Sequence, residues 1–236
     1  TSDGGYIVGG STNSFGAGNY DMWIMKLDSG GTIGWQKTYG GSAWEGFGSI
    51  QQNSDGEYIV AGYTYSYGSP GLIFLKLNNE GTITWQKIYY VGLQPASIQQ
   101  TSEGGYIIAG TDGFGLLKLD ADGNVIWLKR YGAGYARFAQ ETAGGRYIAA
   151  GETYGDDDGI LVLTLDSNGD IPQCDIITLG ETAANSITVS VQPSTAAEYT
   201  SSAVITSTNF TPEDCEIGLS VVCCYDSEDY DCDGIL

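Results

Sequence analysis

The amino-acid sequence predicts an all-β protein: a β-propeller of four-stranded antiparallel blades, with four repeats in this chain, followed by a strand-rich, cysteine-containing tail. Three observations carry that expectation. A ten-residue segment, TSDGGYIVGG at residue 1, returns as NSDGEYIVAG at 53, TSEGGYIIAG at 101 and TAGGRYIAAG at 142. Each copy is followed by further matching segments separated by Gly, Asn and Asp turns. The spacing from Tyr6 to Tyr58, Tyr106 and Tyr147 is 52, 48 and 41 residues, the length of one propeller blade.

Within a unit, the Tyr-Ile-Val run leads to a polar loop carrying an aromatic residue beside glycine, at Phe15, Tyr67, Phe114 and Tyr154. An apolar run comes next (DMWIMKLD at 21, LIFLKLN at 72, LLKLD at 116, ILVLTLD at 160), then a glycine turn. Behind the turn stand TIGWQKTYG, TITWQKIYY and NVIWLKRYG, which place Trp35, Trp85 and Trp127 four residues past the turn glycine; the fourth unit has Gln173 there, in DIPQCDIIT. SIQQ at 49, SIQQ at 97 and FAQE at 138 lead into the following copy. Four short β-branched and aromatic segments joined by such turns are spaced for an antiparallel meander. The units are read as 1–52, 53–100, 101–141 and 142–178.

Two strands per unit are apolar on both faces, which water does not tolerate in an isolated sheet; stacking one blade on the next buries both. Gly9, Ala61, Ala109 and Ala150 are small enough for strands to crowd together, and the tryptophans are expected to fill the space between blades.

The charge is −20, from 29 acidic and 9 basic residues with no histidine. It is concentrated late: no Lys or Arg follows Arg146, while residues 147–236 hold 17 acidic groups. Such a surface repels phosphates and anionic lipids, so nucleic-acid binding is excluded. No apolar run is long enough for a membrane-spanning helix, so membrane insertion is not expected. The chain begins inside a repeat, as expected of part of a longer polypeptide.

Residues 179–236 differ from the repeats. They are rich in Ser and Thr, and SITVSVQ at 186, SAVITST at 202 and EIGLSVV at 216 alternate as half-buried strands do. Cys174, Cys215, Cys223, Cys224 and Cys232 all lie in the last 63 residues. Cross-links suit a short segment with little core, so these are disulfide candidates and favour an extracellular or cell-surface location. NFT at 209–211 makes Asn209 a glycosylation candidate. Near the end, Asp229, Asp231 and Asp233 alternate ahead of Gly234, placing oxygen ligands as the opening of a Ca2+ loop does.

DGGYIVAG-type segments, the aromatic-glycine loop, the K-L-D strand, the G-x-x-x-W-x-K-x-Y-G segment and SIQQ together resemble the propeller-type repeats of large secreted and cell-surface proteins of bacteria and archaea. The resemblance covers residues 1 to about 178, three units closely and the fourth loosely. It implies an extracellular scaffold or adhesion role without enzyme activity. The C-terminal Asp and Cys pattern resembles a thrombospondin type 3 calcium repeat, although the chain stops at Leu236 before the later acidic ligand.

No enzyme activity is expected. Without histidine there is no Ser-His or Cys-His pair. NEGTITW is similar to the Asp-box of sialidase propellers, but three residues separate Gly81 from Trp85 where that box has two. Sialidases resemble one another in an arginine triad drawn from separate blades, whereas Arg130, Arg137 and Arg146 all lie within 17 residues. Two readings remain. One is a structural or adhesive scaffold that associates with itself, or with other parts of a longer parent chain, through β-strand pairing. The other is a lectin-like propeller in which Phe15, Tyr65, Tyr67 and Tyr154 stack on glycans. The scaffold reading is preferred.

Overall fold

A computed structural model of the chain describes residues 1–111, 113–154, 159–171 and, as backbone, 176–180. The described residues are all-β, with fifteen strands in four antiparallel sheets. The first sheet has three strands, β1 (Tyr6–Thr12), β2 (Asp21–Leu27) and β3 (Ile33–Tyr39), in that order. The second is a four-strand meander of β4 (Glu45–Gln52), β5 (Tyr58–Thr64), β6 (Gly71–Leu77) and β7 (Ile83–Tyr89). The third repeats it with β8 (Pro95–Gln100), β9 (Tyr106–Gly110), β10 (Gly115–Leu119) and β11 (Val125–Arg130). The fourth comprises β12 (Tyr135–Glu141), β13 (Tyr147–Thr153), β14 (Gly159–Leu165) and β15 (Ile176–Gly180). Each four-stranded sheet therefore starts with the SIQQ-type strand. No helix among the described residues is long and apolar enough to cross a membrane.

Local chemistry explains the hairpins. Asp28 Oδ1 accepts from the amides of Gly30 and Thr32, and Asn78 and Asp166 do the same in the second and fourth units. Each side chain closes the turn that its own strand enters, the habit of Asx residues.

Three apolar cores lie between the four sheets, and the middle strands feed two of them at once. In β5, Tyr58 and Val60 enter the core shared with the first sheet, alongside Met22, Ile24 and Ile73. Ile59 and Ala61 point the other way, into the core with Phe74, Tyr106 and Ile108. Because side chains alternate along a strand, an unbroken apolar run is what a sheet packed on both sides requires.

The edge strands β4, β8 and β12 pack against one another along one side of the stack. An edge strand leaves alternate N–H groups unpaired within its own sheet. Here the preceding blade supplies the acceptors. Ser49 Oγ accepts from Ile98 N, Ser97 Oγ accepts from Ala139 N, and Gln51 Oε1 accepts from Gln100 N at 2.8 Å. The last residue of the strand ties down the previous blade's turn: Gln52 accepts from Ser2 N, Gln100 from Ser54 N and Glu141 from Ser102 N.

The W-x-K-x-Y segment makes a second set of links. Trp35 Nε1 donates to Asn79 O at 2.8 Å, Lys37 donates to Glu80 O and Tyr39 Oη donates to Gly81 O at 2.6 Å, so one outer strand grips a single turn of the next blade. Tyr89 holds Gly123 O and Tyr131 holds Gly169 O in the same way. Trp35 also lies edge-on to Tyr58, as Trp127 does to Tyr147. The tryptophans thus cover the seams between blades. Gly81 has φ +71°, and a Cβ there would meet the Trp35 ring at 2.8 Å, so both backbone and space call for glycine.

A lysine facing an acidic residue recurs in three units, ion-paired in the first two, and both positions change in the fourth. Lys26 meets Asp3 at 2.8 Å, Lys76 meets Asp55 and Glu57, and Lys118 pairs with Thr101 beside Glu103. At the matching positions the fourth unit has Thr164 and Gly144.

Candidate functional site

Because the repeating residues join blades, a ligand surface is best sought where one unit departs from the others. One such departure lies where the loop ends of the first and second sheets meet. Three backbone segments run side by side there. Tyr20 and Trp44 form a parallel bridge, Glu45 N donates to Tyr20 O at 2.8 Å, and Tyr65 N donates to Trp44 O at 2.9 Å.

This places Trp44 between two tyrosines. Its ring stacks on Tyr65 at 5.6 Å and 30°, and meets Tyr20 and Tyr63 edge-on at 6.2 and 5.0 Å. Tyr20, Trp44 and Tyr65 stay 40%, 39% and 43% exposed, so the cluster presents apolar ring surface to solvent rather than filling a core. Burial and the neighbouring Tyr65 raise the Tyr63 phenol above its ordinary range, keeping it a neutral donor. A cleft of about 520 Å³ opens beside the cluster, lined by Asn13, Gly18, Asn19, Tyr20 and Trp44. Asn13 Nδ2 lies 3.4 Å from Tyr20 Oη. Ring faces with adjacent amides and hydroxyls can stack on an apolar ring face while hydrogen-bonding its polar rim.

A second cleft of about 490 Å³ lies over the first sheet, lined by Phe15, Trp23, Gln36, Lys37 and Thr38. Phe15, 52% exposed, stands edge-on to Trp23 at 5.6 Å, and Trp23 Nε1 is buried without an acceptor.

The four loop aromatics expected to stack on sugars are not brought together. Tyr65 joins the Trp44 cluster and Phe15 lines the second cleft. Tyr67 packs against the first core, and its carbonyl accepts from Tyr90 Oη. Tyr154 tilts against Tyr135, 5.0 Å away, near Arg137. Sequence reasoning missed Tyr20 and Trp44. The usable signal was non-recurrence: the residues matching Trp44 in the next two blades are Gly92 and Ala133, and Tyr20 is matched in the second unit by Pro70.

Asp229, Asp231 and Asp233, the five cysteines Cys174, Cys215, Cys223, Cys224 and Cys232, and Asn209 lie outside the described residues, as do residues 155–158 of the GDDDG run. Among the described residues no group of three or more acidic or cysteine side chains converges as a metal cluster.

Comparison with known proteins gives one short family match and distant structural likenesses. A family model described as a domain of unknown function (DUF5122) beta-propeller matches residues 53–83, which span the hairpin of β5 and β6 and the turn gripped by Trp35. No curated protein matches the chain. Among solved structures, a protein of unknown function from Bacteroides caccae aligns over 70% of this chain and 78% of its own, at 11% identity and a TM-score of 0.46. The Pan2 WD40 domain of Neurospora crassa aligns over 67% of this chain and 48% of its own, at 13% identity and a TM-score of 0.46. A puromycin hydrolase mutant complexed with PGG aligns over 79% of this chain and 37% of its own, at 12% identity and a TM-score of 0.43. The family match is thus to a β-propeller model over one hairpin, and the chain's own four antiparallel sheets, three of them four-stranded meanders, are the kind of unit from which propellers are built.

Proposed function

We propose that the chain is a non-enzymatic, adhesive propeller module of an extracellular or cell-surface protein, and that it adheres by binding glycans at the Tyr20–Trp44–Tyr65 cluster. The observation that carries this reading is an exposed tryptophan, stacked on a tyrosine, beside a cleft with two asparagine side chains, on a scaffold whose recurring Trp35, Trp85 and Trp127 are committed to blade seams. Aromatic faces match the C–H face of a sugar ring, and side-chain amides match its hydroxyls. The clustering of all five cysteines in the C-terminal 63 residues supports the extracellular setting. A glycan array probed with the wild type and with Trp44→Ala tests the reading. Selective binding that Trp44→Ala abolishes supports it; no binding, or binding that Trp44→Ala leaves intact, overturns it.

A second reading, scaffolding through strand pairing, is favoured by the state of β1. Tyr6 is 56% exposed, whereas its counterparts Tyr58, Tyr106 and Tyr147 are 2%, 2% and 3% exposed. Among the described residues β1 has no strand on its free edge, where β5, β9 and β13 have β4, β8 and β12. That edge suits a strand from a second copy or from the parent polypeptide. Tail segments such as SITVSVQ and EIGLSVV, which lie outside the described residues, would compete for the same place.

A further inference from the structure

Directly behind the aromatic cluster lie two buried carboxylates, Asp21 next to Tyr20 and Glu45 next to Trp44, 1% and 0% exposed. Both are heavily hydrogen-bonded except at one atom. Asp21 Oδ2 accepts from the amides of Ala17 and Gly18. Glu45 Oε1 accepts from Thr64 Oγ1 at 2.6 Å and Oε2 from Gly41 N at 2.7 Å. Asp21 Oδ1 is buried with no partner. Among the described residues no lysine or arginine forms an ion pair with either carboxylate.

The two groups face one space. A Cβ on Gly40 would stand 1.9 Å from Asp21 Oδ1 and 2.5 Å from Glu45 Oε2, so the absence of a side chain at Gly40 leaves room for both oxygens. Further oxygens lie close by: a Cβ on Gly18, whose amide binds Asp21, would meet the carbonyls of Ala43 and Gly41 at 2.2 and 2.7 Å.

The pair exists at one seam only and changes as a pair. The residues matching Asp21 and Glu45 at the next seam are Gly71 and Leu93, and at the one after, Gly113 and Gly134. Neither carboxylate persists without the other. Two uncompensated buried charges in one space are strongly unfavourable unless a counter-charge joins them. An orphaned carboxylate oxygen, a second carboxylate and nearby carbonyls form the all-oxygen donor set that a hard divalent cation takes.

We propose that Asp21 and Glu45, with the backbone carbonyls beside them, bind a divalent cation of the Ca2+ class that pins the first blade to the second beneath the aromatic cluster. This site is distinct from the acidic segment at Asp229, Asp231 and Asp233, and it does not depend on the ligand bound above it.

The test is made on the full chain carrying Asp229→Asn, Asp231→Asn and Asp233→Asn, which removes the acidic segment as a competing site. After chelation, calcium is titrated in by calorimetry and by thermal unfolding. One bound calcium is expected, with Tm rising by roughly 5–10 °C at a hundredfold excess over Kd. Asp21→Asn and Glu45→Gln are expected to remove both signals. Asp21→Gly combined with Glu45→Leu copies the next seam; it is expected to fold, with a Tm indifferent to calcium. The proposal is overturned if the parent binds no calcium or if the Gly-Leu variant binds as much as the parent.

Discussion

Tyr39 donates its phenolic hydrogen to the carbonyl oxygen of Gly81, 2.6 Å away and 42 residues along the chain. The same bond joins Tyr89 to Gly123 and Tyr131 to Gly169, so three tyrosines at the ends of three outer strands hold the next blade's turn. Removing one hydroxyl leaves a carbonyl without its partner in a buried place. Tyr39→Phe is expected to destabilise the protein by about 1–3 kcal/mol, with Tyr89→Phe and Tyr131→Phe alike. Denaturant unfolding measures it; three unequal or negligible losses would deny that the motif is a seam device.

Trp35 and Gly81 form the other half of that seam. Gly81→Ala places a methyl against the Trp35 ring and forces a residue with a side chain into positive φ, so its cost is expected to exceed about 1 kcal/mol. Gly31→Ala has equal backbone strain, at φ +83°, but nothing within 4 Å of its Cβ. The difference between the two in thermal unfolding isolates the tryptophan contact, and Gly81→Ala should have the lower Tm.

Burial raises the phenols of the seam tyrosines. Tyr39 and Tyr147 are each pushed up to about 12 from an ordinary 10.0, and Tyr89 and Tyr131 are raised as well. For a group whose folded value is raised, stability is fully present below the unfolded value and is lost as pH rises through the folded one. Lys76 acts in the same sense: burial opposes its charge, but Glu57 and Asp55 outweigh that and raise it. Lys118, lowered by burial, acts in the opposite sense. Net stability is therefore expected to fall between about pH 10 and 12, with tyrosinate absorbance of the buried set appearing only as the protein unfolds. Full tyrosine titration before any loss of β-sheet signal would contradict this.

The strand-pairing reading makes a separate forecast about β1. Val8 is 42% exposed on that strand, and a charge there discourages edge pairing. Val8→Lys is expected to reduce self-association in sedimentation velocity without lowering Tm. Equal association in both proteins would rule out pairing through β1.

Much of the architecture could be read from the chain because it is written in local chemistry. Doubly apolar runs, turn glycines and a period near 48 residues announce stacked meanders, and the position of Trp35 four residues past Gly31 marks a seam. The role of SIQQ was not legible. Ser49 and Gln51 serve as acceptors for the edge amides of the following blade, and a repeating sequence does not reveal which of its strands forms the edge. Nor could the aromatic site be read: Tyr20, Trp44 and Tyr65 come from three separate segments and meet only through backbone bonds between loops. Four recurring loop aromatics suggested one surface, but recurrence spreads residues one to a blade, whereas a local site needs residues that one junction holds and the others lack.

The most direct measurement is a crystal structure of the protein with the glycan it binds best on an array. The account predicts a sugar ring against the exposed surface of Trp44 and its flanking tyrosines, with hydroxyls directed to Asn13 or Asn19. A sugar bound elsewhere, with the Tyr20–Trp44–Tyr65 surface bare, would contradict it.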